Sequence, residues 1–241
     1  MAYNFIVTKK EFNLILQTRK QLLPNYEVQE ADCQLCKQLH PSNVIMEDVL
    51  AKVSILNAYY STRLDSEKMA KHLTALASTG QLDARLSAGD PSLVLDIATN
   101  SAREEFSFAT KYCALLSPGK YPIYDKYVWL FFSKLRQLGF FARLTNKKFA
   151  NVNKNGCKAY ADYVEIYNEF IDKSGIRPFA KNYREVDAYI WGATKMYLLL
   201  EKTSKYTNMR PWATWLQATS ASLVANLTAT AIWKILSLIN F

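Results

Sequence analysis

Residues that form turns are rare in this chain. Seven glycines and seven prolines are spread over 241 residues. A β-sandwich or β-barrel needs many turns and usually carries more of both residues. The scarcity therefore favours long helices with few connections. Half of the residues are hydrophobic, which excludes a disordered chain and allows a sizeable core.

The apolar residues recur mostly at helical spacing, and no run of alternating apolar and polar residues is long enough to require a sheet. Asp65 precedes Ser66 and Glu67, and Asp90 precedes Pro91, as is typical of helix starts. The stretch 145–156 is rich in Asn and Lys and is predicted to be a loop. We predict an all-α fold with helices at 9–22, 44–61, 65–79, 91–101, 103–117, 123–139, 157–174, 182–203 and 211–238.

The positive charge is concentrated in the second half of the chain. Residues 1–118 carry 12 Lys and Arg against 13 Asp and Glu, whereas residues 119–241 carry 18 against 8. A basic half beside a neutral half indicates a polyanionic partner, most often nucleic acid. A basic protein without such a partner is the alternative, and charge alone does not decide between them.

Four cysteines, Cys33, Cys36, Cys113 and Cys157, follow a start that has no long apolar run. This pattern predicts free thiols in the cytoplasm. Cys33 and Cys36 form a CxxC motif, and His40 lies four residues further on, but no fourth zinc ligand is evident. We therefore expect neither a metal nor a cofactor.

The most informative segment runs from Glu105 to Val128. It predicts a helix carrying Lys111, a break at Ser117–Gly119, and a second helix that begins near Asp125. A helix, a turn and a helix start can bring Lys111 and Asp125 to one cleft, where the helix dipole favours an ionised aspartate. The alternatives are a surface lysine and an aspartate that only caps its helix.

This segment is similar to the active-site region of the helix-hairpin-helix DNA glycosylases, the superfamily that contains endonuclease III and the 8-oxoguanine glycosylases. Ala109-Thr110-Lys111 matches the position of the nucleophilic lysine of that family. Pro122–Val128 matches its aspartate turn, with Tyr127 where a histidine is often found. Ser107, Phe108 and Ala109 stand where the family usually has a Gly-x-Gly hairpin, so close backbone approach to a DNA phosphate is harder here.

Two further stretches carry the resemblance, which spans roughly residues 45–200. Residues 53–64 resemble the helix whose end fills the gap left by a flipped base, and residues 182–195 resemble a late helix of the archaeal 8-oxoguanine group. The resemblance implies base-pocket or wedge roles, with packing roles inside the protein as the alternative for the aromatic and late-helix residues. The implied residues are Asn57, Tyr59, Tyr60, Ser61, Asp187 and Trp191.

The resemblance implies two helical lobes with double-stranded DNA in the cleft between them. Residues 1–203 would form this domain, and residues 204–241 a helical extension. Asp125 would stabilise positive charge on the sugar, and Lys111 would form a Schiff base, so that base excision is followed by strand cleavage. The implied substrate is an oxidised purine or a phage-type modified cytosine, and a monomer is expected. The lysines expected to meet DNA phosphates are Lys126, Lys147, Lys148 and Lys154.

Two other functions remain open at this point. A non-catalytic DNA-binding or anti-phage defence protein could have kept the fold without the chemistry, and the missing hairpin glycines favour it. A membrane-associated protein could use residues 220–241, whose length is near the span of about 20 residues that a bilayer requires. That segment holds seven Ser, Thr and Asn residues, so a packing helix is favoured and no membrane partner is expected.

Overall fold

The computed structural model describes residues 5–99, 105–153, 156–157 and 159–204. Within these residues the chain forms eleven α-helices and one short antiparallel pair of strands, which confirms the helical fold class. The elements are α1 (Lys9–Leu22), α2 (Tyr26–Leu39), α3 (Met46–Tyr60), α4 (Ser66–Ser78), α5 (Leu82–Ala88), α6 (Pro91–Ala98), α7 (Phe106–Leu116), α8 (Lys126–Gln137), α9 (Arg143–Lys148), β1 (Val152–Asn153), β2 (Gly156–Cys157), α10 (Tyr160–Ser174) and α11 (Tyr183–Ser204).

The helix starts that the sequence predicts are present. The Asp65 side chain accepts a hydrogen bond from the Lys68 backbone N–H at 3.0 Å. The Asp90 side chain accepts one from the Ser92 N–H at 2.9 Å, with Pro91 in the first helical position. These caps satisfy backbone donors that have no partner inside the helix.

Three predictions of local structure are wrong. Helix α2 was not predicted because its apolar residues Val28, Leu35 and Leu39 are all more than half exposed and form no buried stripe. Helix α5 was not predicted because seven residues are too few for a periodic pattern. The predicted loop at 145–156 instead begins within α9 and continues into β1 and β2.

Helix α3 packs against α2 and α4, α7 packs against α6, and α11 packs against α1 and α8. Helix α10 packs against both α6 and α9. Aromatic rings pack between α8 and α10. Phe132 makes edge contacts with Tyr167 and Phe141, with ring centroids 5.4 and 5.8 Å apart, and this geometry adds to the stabilisation that burial gives.

The first and last described helices lie in close contact. At Gly192 of α11, a Cβ atom would stand 2.8 Å from Ile15 Cγ2 and 3.1 Å from the Ile15 carbonyl oxygen of α1. The glycine therefore allows the two helix backbones to approach each other closely.

Several predictions fall on residues outside the described ranges, namely the helix at 211–238, the extension at 204–241 beyond Ser204, and Lys154. Over the described residues, no helix has both the length and the apolar character that a bilayer crossing requires. In the same part of the chain Cys33, Cys36 and Cys113 are free thiols, and no cluster of side chains could hold a metal ion.

Candidate active site

A cavity of about 790 Å³ lies beside the chain segment that links α7 to α8. Its walls come from α1, α2, α3, α7, α8 and α11, and from the turn before α8. The structure brings most of the predicted site residues together here. Those that line the cavity are Tyr59, Tyr60, Ser61, Lys111, Asp125, Lys126, Asp187 and Trp191.

Lys111 is a buried lysine in α7, with 6% of its surface exposed. Its Nζ donates a hydrogen bond to Ser107 Oγ at 2.7 Å and lies 4.8 Å from the centre of the Tyr60 ring. Burial lowers the pKa of Lys111, and the nearby carboxyl groups of Asp125 and Asp187 only partly oppose this effect. A lowered pKa increases the fraction of neutral amine, which is the nucleophilic form.

Asp125 caps the first turn of α8. Its Oδ1 accepts hydrogen bonds from the backbone N–H groups of Tyr127 at 2.7 Å and Val128 at 2.9 Å. The two backbone amides hold this oxygen in place at the N-terminus of α8. Both amides bond to the same oxygen, so the cap leaves Oδ2 available to the cavity that Asp125 lines.

Asp187 connects α11 to the turn that presents Asp125. Its Oδ2 accepts the Ile123 N–H at 3.1 Å, and its Oδ1 accepts the hydroxyl of Tyr167 at 2.6 Å. Burial raises the pKa of Asp187 to about 8; these two hydrogen bonds oppose that rise, and the charge of Asp125 adds to it. The predicted base reader is therefore a buried carboxyl group that also holds the turn.

The residues that end α3 are engaged within the protein. Tyr59 donates a hydrogen bond to the Asp32 carboxylate of α2, and Tyr60 lies against Lys111. Ser61 and Arg63 both have positive φ, 48° and 56°, which is uncommon for residues other than glycine.

Asn57 does not line the cavity, contrary to its predicted role. Its Nδ2 donates to the Leu64 carbonyl at 3.0 Å and to Ser66 Oγ at 3.1 Å, and its Oδ1 accepts the Thr62 hydroxyl at 2.8 Å. The amide is used to hold the turn between α3 and α4, so it is not free to bond with a base.

The predicted phosphate-binding lysines differ in their surroundings. Lys126 and Lys147 are exposed. Lys148 is paired with Asp162 at 3.2 Å and Glu165 at 2.6 Å, which compete with a phosphate for its charge. This finding argues against a phosphate contact at Lys148.

Comparison with known proteins places the chain in a family. The family model HI_0787_N, described as an N-terminal domain, matches residues 11–120. An uncharacterized protein of Haemophilus influenzae is 32% identical over 157 residues, which make up 62% of this chain and 67% of that protein. This chain belongs to the family of that protein. No solved structure matches the chain.

The part matched by the HI_0787_N model contains α1, α2, α3 and α7 of the cavity wall, together with Lys111. It ends before the turn that carries Asp125. The matched region therefore supplies the cavity walls from α1, α2, α3 and α7, and the walls from α8 and α11 lie outside it.

Sequence analysis missed two parts of this site. Lys195 lies four residues after Trp191, so helical spacing could have indicated it. Its Nζ lies 4.3 Å from the centre of the Tyr127 ring and 5.1 Å from that of Trp191. The second part is an ion pair between Glu30 of α2 and Arg184 of α11 at the cavity wall. It gives no sequence signal because the two residues are 154 positions apart (184 − 30).

Proposed function

We propose that this protein is a DNA glycosylase that takes a modified base out of the DNA stack and cleaves its bond to the sugar. The observation that carries the proposal is the buried Lys111 beside Asp125 and Asp187 in one cavity. A buried amine with a lowered pKa next to carboxyl groups, in a cleft large enough for a nucleotide, is typical of a reaction centre.

Each of the two central residues has a defined role. Cleavage of an N-glycosidic bond builds positive charge on the sugar, and the Asp125 carboxylate stabilises that charge. The neutral Lys111 amine attacks C1′ and forms a Schiff base with the opened sugar. Elimination from the Schiff base then nicks the strand.

The arrangement of the helices supports a duplex DNA partner. In this proposal the DNA cleft is the cavity that residues of α3, α7, α8 and α11 line. Lys126 lines the cavity, Lys195 contacts the rings of Tyr127 and Trp191 that line it, and the second half of the chain carries the positive charge. Basic residues beside a cleft bind phosphates without reading sequence.

Ser107 stands where the glycosylase family usually has a hairpin glycine, and the structure shows what this serine contacts. Ser107 lies in the first turn of α7, and its hydroxyl accepts the hydrogen bond from Lys111 Nζ. In this protein the segment that usually approaches a phosphate therefore positions the lysine. Both proposed substrate classes, an oxidised purine and a bulky modified cytosine, fit a cavity of about 790 Å³.

Borohydride trapping tests the proposal. The protein is mixed with duplexes that carry 8-oxoguanine, glucosylated 5-hydroxymethylcytosine or an abasic site, and borohydride reduces any Schiff base to a covalent adduct. We expect an adduct that Lys111→Ala abolishes. The matched control is Lys71→Ala, which removes an exposed lysine in an ion pair with Glu67 and leaves the adduct unchanged. Asp125→Asn should slow base release.

The outcomes separate three mechanisms. An adduct that requires Lys111 supports the Schiff-base enzyme. Abasic sites without an adduct support a glycosylase in which water, assisted by Asp125, is the nucleophile. If neither forms with any of these duplexes, the enzymatic proposal is overturned.

A non-catalytic DNA-binding or anti-phage protein is the second candidate. The observation that favours it is that Tyr59 and Tyr60, the proposed wedge residues, are both engaged inside the protein. Salt-sensitive binding to duplex DNA without release of any base would support this candidate.

A further inference from the structure

Asp187 is a buried acid whose chemistry the two roles above do not use. With 9% of its surface exposed, it accepts one backbone N–H and one phenol hydroxyl and lines the cavity that holds Lys111 and Asp125. Neither of its hydrogen-bond donors carries a charge. A buried carboxyl group with neutral donors, close to a second carboxylate, is more stable in the protonated form.

The surroundings of Asp187 come from four elements. Lys111 faces it from α7, Asp125 from the start of α8, and Arg184 from one turn earlier on α11. The phenols of Tyr160, Tyr163 and Tyr167 in α10 also interact with Asp187. Burial raises the pKa of each phenol well above its ordinary range. These phenols stay neutral near pH 8, where Asp187 titrates.

Three tyrosines of α10 fix the position of this acid relative to the turn. Tyr160 and Tyr163 donate hydrogen bonds to the carbonyls of Pro122 and Ile123, at 2.7 and 2.6 Å. Tyr167 donates to Asp187 itself. Since the same turn carries Asp125, the two carboxyl groups are held at a fixed separation in one cavity.

Lys111 and Asp187 line the same cavity and interact electrostatically. An ammonium with a carboxylate and an amine with a carboxylic acid contain the same number of protons, and burial disfavours the form that has two charges. The neutral form provides a nucleophilic amine and a proton donor at the same time.

We propose that Asp187 is held as a carboxylic acid and donates its proton to the base as the base leaves the sugar. The inference rests on the proposed glycosylase function and extends it. The Lys111 lone pair forms a bond to C1′ while the bond from C1′ to the base breaks. The electron pair of the breaking bond moves onto the base. The base takes the Asp187 proton at that moment, and the Asp187 carboxylate then recovers a proton from the alkylated Lys111 nitrogen.

The test compares two reactions that use Lys111 but differ in whether a leaving base must be protonated. Release of 8-oxoguanine or glucosylated 5-hydroxymethylcytosine from a duplex requires protonation of a base, whereas nicking of a duplex with a preformed abasic site does not. Asp187→Asn keeps an oxygen and the side-chain shape, so the turn is retained. We expect this variant to lose about 10²–10⁴-fold in base release, the usual contribution of a general acid, and to keep abasic-site nicking.

The pH dependence provides a second test. Wild-type base release should fall as the pH rises through about 8, where Asp187 loses its proton, and abasic-site nicking should lack that decrease. The hydrogen bond from Tyr167 lowers the pKa of Asp187, so Tyr167→Phe should move the decrease to higher pH. A residue with only a structural role would not produce that movement.

An infrared measurement provides a test that does not depend on activity. The difference spectrum between wild type and Asp187→Asn at neutral pH should contain the carbonyl band of a protonated carboxyl group. A carboxylate band in its place overturns the inference.

The failures of the two proposals are distinguishable. If Asp187→Asn releases base as fast as wild type, or loses base release and nicking equally, the acid role is wrong and the glycosylase proposal stands. If the wild-type protein neither releases a base nor nicks an abasic site, the glycosylase proposal fails and the acid role fails with it.

Discussion

Glu11, a glutamate of α1 that lies outside the cavity, should make the stability of this protein fall with rising pH. It is 3% exposed, and its Oε1 accepts the Tyr189 hydroxyl at 2.6 Å. Its Oε2 is buried and has no hydrogen-bond partner among the described residues. Burial raises the pKa of Glu11 from 4.5 to about 7, and the hydrogen bonds from Tyr189 and the Thr8 backbone only partly oppose this rise.

The direction in which stability changes with pH follows from proton linkage. The folded protein binds the Glu11 proton more tightly than the unfolded chain, so its contribution to stability is complete below about pH 4.5 and is lost as the pH rises through about 7. Each pH unit between these values is worth about 1.4 kcal/mol, so the total loss is about 3 kcal/mol. A small domain has a free energy of unfolding of about 5–15 kcal/mol, so a loss of this size is measurable.

Glu11→Gln removes the titration and keeps the shape and an acceptor for Tyr189. Urea unfolding would be measured at about pH 4 and about pH 8.5, on either side of the transition. We expect wild type and variant to be similar at the lower pH and the variant to be more stable by about 3 kcal/mol at the higher pH. The control, Glu47→Gln, changes an exposed glutamate. If the difference between Glu11→Gln and wild type is the same at both pH values, the reasoning is refuted.

Three further predictions concern packing, capping and binding. Gly192→Ala should cost about 1–3 kcal/mol of unfolding free energy, because its Cβ meets the Ile15 carbonyl at 3.1 Å; an unchanged thermal midpoint would contradict this. Asp90→Ala should cost about 1 kcal/mol through loss of the α6 cap, measured by urea unfolding, and Asp90→Asn should retain most of it. Lys126→Ala and Lys195→Ala should each weaken duplex binding and reduce the slope of log affinity against log salt by about 1; a slope equal to that of wild type would exclude a phosphate contact.

Regular periodicity and capping residues made much of the fold predictable. Helices such as α4 and α6 bury one apolar stripe and begin at an aspartate cap, so their sequence alone indicates them. Helix α2 follows neither rule, because its apolar side chains are largely exposed and its N-cap residue Asn25 makes no side-chain hydrogen bond. Because α2 was not predicted, the position of Glu30 at the cavity wall was not predicted either.

The site was predictable where its residues are close in sequence. Lys111 and Asp125 stand 14 positions apart (125 − 111) on either side of a turn, and the structure brings them to one cavity. The surroundings of Asp187 were not predictable, because Tyr167 and Ile123 reach it from other elements. Asn57 was predicted to read the base because residues 53–64 resemble a helix of the glycosylase family, but its amide bonds within the following turn.

The pairing of α1 with α11 has a consequence for synthesis of the chain on the ribosome. The cavity wall includes Arg19 of α1 and Leu23 directly after that helix, together with Arg184, Asp187 and Trp191 of α11. Helices α1 and α11 come from opposite ends of the described chain. While α11 is still inside the exit tunnel, α1 lacks its packing partner and Lys111 lacks Asp187. The cavity is therefore incomplete until nearly the whole of this region has left the ribosome, and a chain released early would carry Lys111 without the residues that complete the cavity wall.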